Sequence, residues 1–74
     1  MNTDVKIVKD ISGFNVVLVW KNGWIQVSKH KYDSDAQIIY DTIIDGGTQN
    51  NVKEIISNQD PRCNVLLLKY FENW

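Results

Sequence analysis

The sequence predicts an α+β fold: a four-stranded, mainly antiparallel sheet with two helices on one face, in the order β-β-β-α-α-β. Three observations carry this expectation. The run from Phe14 to Ser28 alternates about Asn22-Gly23, a dipeptide that tolerates the positive φ of a two-residue hairpin loop. Two later segments place apolar residues at helical spacing. The final stretch, Val65 to Phe71, is apolar on both of its alternating faces, as an interior strand would be.

The first strand is expected from about Asp4 to Lys9, where Val5 and Ile7 alternate with Lys6. Asp10-Ile11-Ser12-Gly13 is turn chemistry. In the hairpin that follows, closure at Asn22-Gly23 sets the register. Lys21 pairs with Trp24, Trp20 with Ile25, Val19 with Gln26, Leu18 with Val27, Val17 with Ser28 and Val16 with Lys29. Trp20, Ile25, Leu18, Val27 and Val16 then share one face, and Lys21, Trp24, Val19, Gln26, Val17 and Ser28 the other. The second set is half apolar.

His30 to Asp33 form a polar connection. Asp33 or Ser34 can cap a helix from about Asp35 to Asp45 that Gly46-Gly47 stops. Its stripe is Ala36, Ile39, Tyr40, Ile43 and marginally Ile44, with Ile38 nearly opposite. Thr48 can cap a second helix, roughly Gln49 to Asn58, with Val52, Ile55 and Ile56 on one side. Asp60-Pro61 breaks the chain before the last strand.

No linker, repeat or low-complexity tract divides the chain, so residues 1–74 read as one domain, small enough to be only marginally stable. A single cysteine, Cys63, cannot form an internal disulfide, which favours a reducing compartment, and no apolar run approaches the ~20 residues of a membrane span. The expected location is cytoplasmic, with no membrane partner. Nine Ile, eight Asn and seven Lys against one Arg suit an A/T-rich gene of the kind found in bacteriophages and mobile elements.

Two helices can cover one sheet face, and nothing else in the chain is large enough to cover the other. Val17, Val19 and Trp24, joined by one row of the last strand (Val65-Leu67-Phe71 or its alternate), would form an exposed patch. Such a patch drives association. The expected function is therefore a non-enzymatic binding protein, phage or mobile-element encoded, that inhibits or regulates a host or defence protein. Val17, Val19, Trp24 and Leu67 are the anchors and Lys21 lies at the rim; homodimerisation is an allied outcome. Glu72-Asn73-Trp74 could fold over part of this patch.

The alternative is a single-stranded RNA-binding module on the same face, using Lys29, His30, Lys31 and Tyr32 together with Lys21 and Trp24, with Trp24 and either Tyr70 or Phe71 as stacking platforms. Against it, a net charge of −1 supplies no general attraction for phosphates, and the glycine-aromatic RNP1 pattern is absent. No catalytic constellation, metal or cofactor is expected. His30 is the only histidine, flanked by two lysines, and lies thirty-three residues from Cys63, a spacing without ligand or nucleophile-base meaning. Asp33, Asp35, Asp41 and Asp45 crowd one helix as a solvated acidic strip. Gly46-Gly47-Thr48 reads as a turn, since the further signature of a phosphate loop is missing.

Overall fold

The computed structural model describes residues 3–21, 23–49 and 52–71 of the chain. Six elements follow one another: β1 (Thr3–Lys9), β2 (Asn15–Lys21), β3 (Trp24–His30), α1 (Asp33–Ile44), β4 (Glu54–Ser57) and α2 (Pro61–Tyr70). The strands form one antiparallel sheet in the order β1-β2-β3-β4. The α+β class, with four antiparallel strands and two helices, is the one expected.

The β2–β3 register agrees with the expectation pair for pair, from Lys21–Trp24 to Val16–Lys29. Gly23, at φ +93°, supplies the left-handed backbone of the turn; its neighbour Asn22 lies outside the described residues. The β1–β2 turn is organised by Asp10, whose carboxylate accepts from the amides of Ser12 (2.9 Å) and Phe14 (3.0 Å).

Helix α1 begins at Asp33, and its N-cap is Tyr32, without a side-chain cap bond; neither Asp33 nor Ser34 fills that role. The Asp33 carboxylate instead accepts from Asn15 Nδ2 (2.8 Å) and Lys9 Nζ (3.1 Å), tying the helix start to β2 and β1. Ala36 and Ile43 are buried, Ile39 and Tyr40 partly so, and Ile38 faces outward as its spacing requires. The helix ends where Gly46 turns to φ +90°.

The last two elements depart from the expectation. Residues 54–57 are a strand where a helix was expected: β4 pairs with β3, Ile56 facing Ile25 and Ile55 facing Gln26. Adjacent β-branched isoleucines favour that extended pairing over a short helix. Thr48 therefore caps nothing, and Asn50 and Asn51 of the expected helix lie outside the described residues. Residues 61–70 are a helix where a strand was expected. Asp60 is its N-cap, accepting from the Arg62 amide at 2.9 Å, and Pro61 holds the first helical position, where a missing N–H is harmless. Asp60-Pro61 starts an element as well as ending one. Leucine is also a strong helix former, and Cys63, Leu66, Leu67 and Tyr70 recur at i, i+3, i+4 and i+7 on the packed side.

This exchange moves the helices apart. α1 packs on the side carrying Val5, Val17 and Val19, whereas α2 packs on the side carrying Val16, Leu18, Trp20, Ile25 and Ile56. Odd and even residues of β2 point to opposite faces, so the helices lie on opposite sides of the sheet, not on one. Six consecutive residues of β2, Asn15 to Trp20, are buried in consequence.

Candidate functional site

Neither sheet face is left wholly uncovered, because α1 packs on the side carrying Val17 and Val19, the one expected to be bare, and α2 packs on the side carrying Leu18 and Trp20. Val17 and Val19 are completely buried beneath α1, and Leu67 is buried on the sheet-facing side of α2. These three expected anchors belong to the two cores and offer no surface to a partner. Trp24 and Lys21 keep the places expected of them: Trp24 is 40% exposed, and Lys21 beside it is partly exposed.

α1 lies over β1 and β2, leaving the β3–β4 half of its own side less covered. There the register brings a further residue beside Trp24. Trp24 pairs with Ser57 and Gln26 with Ile55, so Trp24 and Ile55 are diagonal neighbours on one face. Ile55 is 58% exposed. The expected helix had turned Ile55 inward, and only strand alternation through residues 54–57 reveals it as surface. The other exposed large apolar side chains among the described residues are Ile11 and Phe14 at the β1–β2 turn, Tyr32, Ile38 and Ile44 on α1 and its N-cap, and Val65 and Leu68 on the outer side of α2. On the α2 side a cleft of about 440 Å³ opens between Val8, Val16 and Leu18 of the sheet and Leu66 and Tyr70 of the helix.

The four residues of the expected nucleic-acid site do not form a single patch. Lys29 and His30 alternate to opposite faces of β3. Lys29 pairs with Asp10 at 3.1 Å, and that contact, together with the amides of Phe14 and Ser12, holds the Asp10 carboxyl below the ordinary range. His30 Nε2 meets Ser28 Oγ at 2.8 Å. Lys31 lies over the ring of Tyr32, 5.7 Å from its centre.

Among the described residues, the Ser28–His30 contact is the one place where a nucleophile type meets a base type, and the i, i+2 spacing on one strand is the signal that would have found it. Gln49 Nε2 also donates to Ser28 Oγ. Ser28 has no exposed surface, so no reacting carbon approaches its oxygen. The three groups form a partly buried polar cluster, in which Gln49 Oε1 has no hydrogen-bond partner among the described residues.

Cys63 is buried on the packed side of α2, on the side of the sheet opposite His30, so the two do not meet. Burial, reinforced by the Asp60 charge, pushes its thiol pKa up, away from a reactive thiolate. Of the aspartates on α1, Asp33 is engaged by Asn15 and Lys9, and Asp41 accepts from Gln37 Nε2 at 3.0 Å. Among the described residues no three His, Cys, Asp or Glu side chains gather as a metal site, and no helix is long and apolar enough to cross a membrane. The segment Glu72-Asn73-Trp74, considered as a cover for the apolar face, lies outside the described residues.

Comparison with known protein families, with curated proteins and with solved structures finds no match to this chain.

Proposed function

We propose that this chain is a non-enzymatic binding protein that holds a protein partner against the β3–β4 margin of its sheet. Trp24 and Ile55 are the anchors, and Lys21 is the charged rim. The observation that carries this reading is the side-by-side exposure of a tryptophan and an isoleucine on a sheet whose other large apolar residues on that face are shielded by α1. Fully burying such side chains is worth roughly 1.5–3 kcal/mol each, and aromatic groups in desolvated pockets dominate interfaces.

Steric obstruction of the partner is the mode of action, since it asks for surface complementarity and no reacting group. The isoleucine-, asparagine- and lysine-rich composition supports a phage or mobile-element gene, with the partner a host or defence protein. The test is affinity capture from host lysate with wild type and with Trp24→Ala, each with and without nuclease. A protein retained by wild type, insensitive to nuclease and lost on Trp24→Ala, is the expected result. Retention that persists in the variant, or that nuclease abolishes, overturns it; the second outcome points to RNA.

A further inference from the structure

The opposite margin of the sheet carries a separate surface. β1 pairs with β2 along one side, and its other side is a sheet edge seven residues long. The Asp10 amide donates to Phe14 O, which fixes the phase of the β1–β2 ladder. Counting back by twos, Asp4, Lys6 and Val8 turn their backbone groups toward β2, and Thr3, Val5 and Ile7 turn theirs outward. Asp4 Oδ1 accepts from the outward Val5 amide at 2.8 Å. Asp4 and Lys6 are both exposed on the α2 side of the strand, and neither takes part in an ion pair with another described residue.

We infer that β1 is a self-pairing edge that joins two copies of this chain in an antiparallel, two-fold dimer centred on Val5. In that register Val5 faces Val5 of the second copy, Thr3 faces Ile7, and Asp4 faces Lys6, so two opposite-charge pairs form across the axis. The neighbouring symmetric registers are disfavoured, since centring on Asp4 or on Lys6 places like charges directly opposite each other. Roughly six backbone hydrogen bonds follow from the three outward residues of each strand, two of them from the Val5 amides once each Asp4 carboxylate leaves its own Val5 N–H for Lys6 of the second copy.

Helix α1 supplies the second observation. Asp33 at its start reaches Lys9, and Ile44 at its end shares a cleft with Thr3, so the flank Asp33, Gln37, Tyr40 and Ile44 runs along β1. Ile44 is 61% exposed there. Two strands about 4.8 Å apart bring the two α1 helices to roughly the 8–10 Å of ordinary helix packing, with Ile44 and Tyr40 near the axis. The charged edge and the exposed isoleucine thus serve the same contact.

Sedimentation velocity over a concentration series tests this, with circular dichroism as the check on folding. Wild type sediments as a species of twice the chain mass. Asp4→Lys alone and Lys6→Asp alone each replace two attractive pairs with two repulsive ones and weaken the dimer by about tenfold or more. Mixing the two variants restores a dimer, because each then complements the other. Trp24→Ala leaves dimerisation unchanged, which separates this contact from the partner surface. A wild type monomeric at every concentration overturns the inference, as do charge variants that self-associate like wild type or fail to recombine on mixing.

Discussion

Trp24 and Ile55 stand diagonally across β3 and β4, both substantially exposed, one strand away from side chains that are wholly shielded. Exposure of this kind separates binding from stability. Trp24→Ala should lower unfolding free energy by no more than about 1 kcal/mol, as for a surface change. Ile25→Ala, at the next position but fully buried, should remove about 2–5 kcal/mol. Urea titration of both variants measures the difference. Equal losses would make Trp24 a core residue and remove the partner surface.

The α2 helix gives a second contrast. Leu67 is 4% exposed and Leu68 is 78% exposed. Leu67→Ala should cost about 2–5 kcal/mol, and Leu68→Ala no more than about 0.5 kcal/mol. A both-faces-buried strand over the same residues would make the two substitutions comparably damaging.

The first half of the chain was legible because local chemistry decides it. Asn22-Gly23 fixes a hairpin whose every pair follows by arithmetic, and Gly46 stops α1 by its backbone conformation. The second half was ambiguous by nature. Val52, Ile55 and Ile56 suit a helix stripe, yet only two of these fall on a strand of four residues, too short for alternation to announce itself. Val65 to Phe71 is apolar throughout, and periodicity alone does not tell such a run from a buried helix segment. Asp60-Pro61 held the deciding information, as a cap followed by a first-turn proline. Trp24 survived as a candidate because it depends only on the hairpin. Val17, Val19 and Leu67 did not, because the first two depended on which side α1 would take and Leu67 on whether residues 61–70 would be strand or helix.

The turn at Asp10 predicts a pH dependence. Lys29 and the Phe14 and Ser12 amides lower the folded-state carboxyl pKa, so the unfolded chain binds the proton more readily. The contribution is therefore full above the ordinary carboxylate pKa and lost as pH falls through the lower folded-state value. Asp10→Asn keeps an acceptor for both amides and removes the charge facing Lys29. The stability gap between wild type and this variant should be constant near neutrality and close under acid conditions, as followed by urea unfolding at a series of pH values. A gap that widens on acidification would contradict the assignment.

Gly47 predicts a steric effect with a specific remedy. A Cβ there would lie 2.7 Å from Thr42 Cγ2 and 3.0 Å from Thr42 O, because the Gly47 amide donates to that same carbonyl. Gly47→Ala should destabilise by about 1–3 kcal/mol, the range for an overpacked site. Adding Thr42→Ser removes the closer atom and should recover part of the loss. Strictly additive effects in this double-mutant cycle would show that the two side chains do not collide.

β2 is a common wall between two interiors, one lined by its odd residues and the other by its even ones. Neither compartment keeps its lining if this strand leaves, so loss of β2 unpacks both helices at once. Damage beginning under α1 reaches α2 through a single backbone. Sliding β2 by one residue would exchange the linings of both rooms at once, which makes the Asn22-Gly23 closure a safeguard for the whole molecule.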